Sequence, residues 1–99
     1  MRKSDKKIDN QIRHVLTDFC ENTLKQFDGF NWITHTVNYS NFPQSLHITV
    51  EFQDSSSLLL FKQNHQQEVE NQLSDLLNNM GINTRLIKHL VSYSTANNE

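Results

Sequence analysis

Glycine is almost absent from this chain: Gly29 and Gly81 are the only two in 99 residues. A phosphate-cradling loop needs clustered glycines, so none can be built here. The single cysteine, Cys20, excludes an internal disulfide and any Cys-x-x-Cys pair. Its place on or beside an apolar helical stripe reads as a small buried hydrophobe. There is no Gly-x-Ser-x-Gly elbow and no His-Glu-x-x-His motif. No apolar run approaches the ~20 residues of a membrane-spanning helix. No leader-like segment opens the chain, so a reducing cytoplasm is the expected setting. Nor does one sign of charge prevail. Nine Lys and Arg stand against eleven Asp and Glu, a net charge of −2, which disfavours a general polyanion binder.

What is present is periodicity. Ile8, Ile12, Val15, Leu16, Phe19, Cys20, Thr23, Leu24 and Phe27 recur at three- and four-residue steps and predict one long amphipathic helix. Ser4 or Asp5 is placed to cap it and Gly29 to end it. At 1.5 Å per residue such a helix runs about 35 Å, so its basic first turns should project beyond a small sheet. A second stripe, Val69, Leu73, Leu76, Leu77 and Met80, predicts another helix, capped by Asn64 and ended by Gly81. Asn83 is placed to cap a further short turn.

Between the helices, residues 30–52 read as a β-hairpin. Leu46, Ile48, Val50 and Phe52 alternate with His47, Thr49, Glu51 and Gln53, the cleanest period-two signal in the chain. In the preceding strand Ile33, His35, Val37 and Tyr39 share one face and Trp32, Thr34, Thr36 and Asn38 the other. The first set is the more apolar and is assigned to the core, so Trp32 faces out; a register error of one residue would reverse this. Residues 54–57 read as a polar turn, and residues 58–61 as either a helical turn or an extended segment. A last strand near residues 89–94 turns Val91 and Tyr93 inward.

The order is α-β-β-α-(short α)-β. It predicts an α+β, two-layer sandwich: a three-stranded sheet in order 2-1-3 with two helices packed on one face. One domain spans residues 1–99, with 1–5 and 95–99 expected to fray. The apolar content, 35%, is low, and a thin core makes a homodimer a reasonable expectation.

No catalytic, cofactor-binding or metal-binding set emerges, so a non-enzymatic protein without cofactor is expected. His35 and His47 fall on opposite faces, His14 has no partner at a telling spacing, and His65 with Glu68 is an ordinary helix-surface pair. Asp18 with Glu21, and Glu68 with Asp75, read as solvated carboxylates outside any cleft. The candidate binding surface is the open sheet face around Trp32, Thr34, Thr36, His47 and Thr49, beside Asn38 and Glu51. An exposed Trp there suits self-association or a protein interface. It also suits a base-stacking platform, with RNA or the ribosome as the alternative partner. Arg2, Lys3, Lys6, Lys7 and Arg13 form a candidate basic cluster. It reads first as a solvated helix start and second as a nucleic-acid contact, and it opposes the helix macrodipole.

Several segments resemble a small family of uncharacterised bacterial proteins of about this length, some labelled Fis-family transcriptional regulators. They are residues 1–7 (MRKSDKK), Phe30-Asn31-Trp32 with Thr34-His35 and Val37-Asn38-Tyr39, Phe42-Pro43 with Ser45-Leu46, and Gly81-Ile82-Asn83. The resemblance covers most of the chain and implies no reaction or catalytic residue. The label implies a basic C-terminal helix-turn-helix; here only Arg85 and Lys88 are basic in a strand-like segment. The element order also resembles type II KH domains and ribosome-binding factor A, in which a kinked helix replaces the GxxG loop. Asn79-Met80-Gly81 would supply that kink. This second resemblance implies fold alone.

Overall fold

Each amphipathic segment forms the element its period demands, in a computed structural model that describes residues 3–96. Helix α1 (Lys3–Asn22) buries Ile12, Leu16 and Phe19 along one stripe. α1 ends at Asn22, not at Gly29 as expected, and the last residues of its stripe pass into a 3₁₀ turn, Leu24–Gln26, that leads to strand β1 (Phe30–Thr36). A second 3₁₀ turn, Tyr39–Asn41, leads to β2 (His47–Phe52). Helices α2 (Ser55–Asn64) and α3 (Gln66–Asn79) follow, then a 3₁₀ turn, Thr84–Leu86, and β3 (Val91–Thr95). The fold is α+β with one small mixed sheet. Among the described residues, no helix is long and apolar enough to cross a membrane.

The strand order is β1-β2-β3, not 2-1-3. β1 runs antiparallel to β2, and β3 parallel to it. Burial explains the central place of β2. It alone buries every inward residue (Ile48, Val50 and Phe52), and a strand covered along its whole inner face belongs in the middle of the sheet. The inward residues pack with Ile12, Leu16, Phe19, Phe61, Val69, Leu73 and Leu77 into a single core.

Further expectations are corrected. The polar turn after β2 is instead the start of an additional helix, α2, within which residues 58–61 take the helical one of their two alternatives. Asp54 caps it by accepting the Ser57 N–H at 2.8 Å, which makes Ser55 to Ser57 its first turn. Asn64 ends α2 instead of capping α3, and the break between helices falls at His65, so Asn79-Met80-Gly81 is no kink between helices. Finally, neither Ser4 nor Asp5 precedes α1, and Thr95 is paired with Phe52 in β3. Residues 1, 2 and 97–99, where fraying was expected, lie outside the described residues. Leu76, assigned to the core, stays exposed because it lies one position off the Val69, Leu73, Leu77 stripe.

Both glycines take left-handed backbone, φ +82° at Gly29 and +97° at Gly81. Gly81 closes α3 in a Schellman motif, with Gly81 N–H donating to Asn78 O and Ile82 N–H to Leu77 O, each at 3.0 Å. Gly29 sits where α2 crosses the hairpin: a Cβ there would lie 2.5 Å from Ser57 Cβ. Around Gly81 the same atom meets nothing within 4 Å. Alanine is therefore expected to cost about 1 kcal/mol at Gly81, from backbone strain alone, and about 2–3 kcal/mol at Gly29, where a clash adds to it. Urea unfolding of the two variants checks the difference.

Candidate functional site

The open sheet face is built by strand parity. Trp32, Thr34 and Thr36 of β1 lie opposite Glu51, Thr49 and His47 of β2, while Ser94 and Ser92 of β3 lie opposite Glu51 and Thr49. The five sequence-predicted residues, Trp32, Thr34, Thr36, His47 and Thr49, thus share one surface, and Glu51 joins them. Asn38 falls beyond the strand and instead caps the following turn by accepting the Ser40 N–H at 3.0 Å. A β-bulge between Phe30 and Trp32 inserts Asn31, after which the alternation resumes with Ile33 inward. It aims Trp32 outward, 43% exposed. The Asn31 side-chain amide donates to Glu51 at 3.2 Å and holds the bulge against β2.

The polar groups at one end of this face are already engaged. His47 Nδ1–H donates to the His89 carbonyl at 2.8 Å, so in the neutral ring Nε2 accepts the Ser92 hydroxyl proton, also at 2.8 Å. Thr49 Oγ1 lies 3.4 Å from the same hydroxyl. The sequence of carbonyl, imidazole and hydroxyl resembles an oriented base beside a nucleophile. It lies on an open sheet, where water would compete for any developing charge, and its plain consequence is to tie β3 to β2.

Arg2 lies outside the described residues, and Lys3, Lys6 and Lys7 are exposed in the first turns of α1. Arg13 is drawn into a network absent from the sequence reading. Its Nε donates to Asp9 Oδ2 at 2.8 Å, while His35 Nε2 and the Tyr39 hydroxyl both donate to Asp9 Oδ1 at 2.9 Å. Asp9 is only 8% exposed. The hydrogen bond from His35, with those from Tyr39 and Arg13, outweighs burial and holds its carboxyl at about 2. Burial and the Asp9 carboxylate push the Tyr39 phenol up. A signal was available: Asp9 borders the apolar stripe of α1 and stands four residues before Arg13. The joining of His35 and Tyr39 to it had no local signal.

Beside a groove of about 370 Å³ lined by His47, Leu86 and Lys88, three others flank the sheet and helices. One of about 460 Å³ runs between α1 and β1 and touches Arg13, Thr17, Cys20 and Trp32. Cys20 is thus half-buried at a groove wall instead of enclosed, and burial raises its thiol pKa. Another, about 540 Å³ between α1 and α3, is lined by Asp18, Asp75 and Leu76. This corrects the expectation that those carboxylates avoid any cleft. The third, about 260 Å³, lies under Leu60 beside Phe27. Leu59 and Leu60 of α2 are both exposed, which the sequence reading missed. His14 faces Asp18 at 3.6 Å on the surface of α1. Among the described residues no cluster of His, Cys, Asp or Glu could hold a metal ion. The C-terminal segment forms a 3₁₀ turn and a strand, not a helix-turn-helix. No protein-family model, curated protein or solved structure matches the chain.

Proposed function

We propose that this protein acts by binding, without catalysis, and that the open sheet face around Trp32 is its contact surface, with a second copy of the chain as the first partner. The observation that carries this reading is an exposed Trp held outward by a bulge on a face without Lys or Arg. The one formal charge among its eight residues is Glu51. Tryptophan is enriched at interface centres, and charged groups are depleted there, as they are on this face. A surface that tracks nucleic acid needs several cations on the face that carries its stacking ring; here the face itself has none, and Arg13 and Lys88 stand only in the grooves at its two margins. The reducing cytoplasm is the setting that a single cysteine suits.

Size sets the strength. Seven residues of strand at ~3.3 Å and three strands ~4.8 Å apart give a footprint of roughly 300 Å² in projection. A stable interface buries about 800 Å² per partner, so association through this face alone is weak, with an expected Kd on the order of micromolar or above. Analytical ultracentrifugation over a wide concentration range tests it. Trp32→Ala is expected to weaken self-association about tenfold or more, with little dependence on salt. A chain that stays monomeric at every concentration would refute the proposal. Salt-sensitive quenching of Trp32 fluorescence by single-stranded RNA would instead assign the face to nucleic acid.

A further inference from the structure

The groove between α1 and β1 has a geometry that the sheet-face reading does not use. Five consecutive residues, 31–35, line it. Neighbouring side chains of a strand point to opposite faces, so a groove touched by all five runs along the edge of β1, not across either face. That edge is free: β1 pairs with β2 alone, so alternate backbone N–H and C=O groups along it point away from the sheet. Among the described residues, no turn or loop backbone hydrogen bond takes up those of residues 31–35. The strand, FNWITHT, contains no Lys, Arg, Asp, Glu or Pro. The bulge at Asn31 is the one usual edge-blunting feature within the strand, and residues 32–35 beyond it form a regular edge without blocking side chains.

The opposite wall is one stripe of α1. Arg13, Leu16, Thr17 and Cys20 are spaced three and four residues apart and face the edge across the groove. Leu16 and Cys20 offer apolar contact, and Thr17 is small. No Asp or Glu lines the groove. Arg13 commits only Nε to Asp9 and remains 70% exposed, so its two Nη groups can receive a carboxylate. Five residues of strand span about 17 Å, and the volume falls within the ~300–1,000 Å³ of ligand clefts.

We propose that this groove takes an extended peptide segment of another protein by strand addition to β1. An apolar side chain of the peptide packs on Leu16 and Cys20, and an acidic group meets Arg13. Backbone pairing supplies affinity, and the α1 wall supplies selectivity. A bare strand fits the slot, whereas the β1 of a second copy would bring its own α1 and Arg13 into the same space. Trp32 and Thr34 belong to both surfaces, whereas Thr17 belongs to the groove alone, so variants at Thr17 separate this inference from the sheet-face reading.

Panning the full-length chain against a phage-displayed library of short random peptides, then titrating the enriched peptides into ¹⁵N-labelled protein, tests the proposal. Enriched peptides are expected to alternate apolar residues and to carry an acidic group, with amide shifts concentrated at residues 31–35. Thr17→Trp and Thr17→Arg fill the slot from an exposed helix position and should weaken binding at least tenfold with the thermal midpoint unchanged. Arg13→Gln should abolish the acidic preference. Self-association measured on the Thr17 variants should match the parent, so the two readings fail separately. No enrichment, shifts elsewhere, or binding indifferent to Thr17→Trp would overturn the proposal. Concentration-dependent protection of residues 31–35 without peptide that Thr17→Trp abolishes would overturn it in favour of a second copy paired at this edge.

Discussion

Phe61→Ala is expected to lower stability by about 3–5 kcal/mol. Phe61 is the buried hub of α2. Its ring centroid lies 5.0 Å from that of Phe52 in β2, 5.1 Å from Phe27 and 5.8 Å from Tyr93 in β3. One side chain thus joins α2 to two strands and to the turn before β1. Truncation removes the transfer energy of a full aromatic ring. It also leaves a cavity that three rigid neighbours cannot close, because packed aromatic rings have few alternative rotamers. A chain of this length has a total stability of roughly 5–15 kcal/mol, so the variant should sit near the unfolding threshold. At about 4–8 °C per kcal/mol, its melting temperature should fall by roughly 20 °C. Leu60→Ala, one residue earlier on the exposed side of α2, is the internal control and should change stability by less than about 0.5 kcal/mol. Calorimetry of the pair is decisive: equal losses would mean that α2 is not seated on the sheet as described.

Asp9→Ala should cost about 3 kcal/mol. The carboxylate is the common acceptor for Arg13, His35 and Tyr39. Removing it strands the Tyr39 hydroxyl and a His35 side chain that is only 10% exposed. Asp9→Asn retains one oxygen acceptor but loses the charge, and should cost less. The same network predicts a pH dependence with a definite sign. In the folded chain the Asp9 carboxyl is held at about 2, against 3.8 for an unperturbed Asp. A lowered carboxyl pKa stabilises the folded state above the unfolded value, and that contribution disappears as pH falls through the folded one. About 2 kcal/mol should therefore be lost between pH ~4 and pH ~2. Urea unfolding of the parent and of Asp9→Asn across that window isolates it. The difference between the two proteins should shrink as pH falls, and a constant difference would exclude the charged state as the source.

Much of the fold was legible because its signals are local. Ile12, Leu16 and Phe19 repeat at the pitch of a helix, and Ile48, Val50 and Phe52 alternate at the pitch of a strand. Each set therefore announces both its element and its buried face. Trp32 was placed outward from the parity of Ile33, and the bulge at Asn31 lies before both residues, so it leaves their relative parity intact. Helix α2 was the ambiguous case. Four apolar residues, 58–61, suit a buried strand or a helical turn equally, and the arbitrating signal was Asp54 capping Ser57.

By itself, then, the sequence determined the types of α1, α3 and the three strands, the glycine end of α3, the inward and outward faces of the hairpin, and the absence of the motif chemistries that need glycine or cysteine clusters. These depend on period and composition, which are properties of neighbouring residues. Tertiary structure alone decided which strand lies in the centre, that Asp9 meets His35 and Tyr39 across 26 and 30 residues of chain, and that the free edge of β1 runs beside the Arg13, Thr17 and Cys20 stripe. Such contacts are set by how whole faces pack, and no repeat along the chain records which face will meet which.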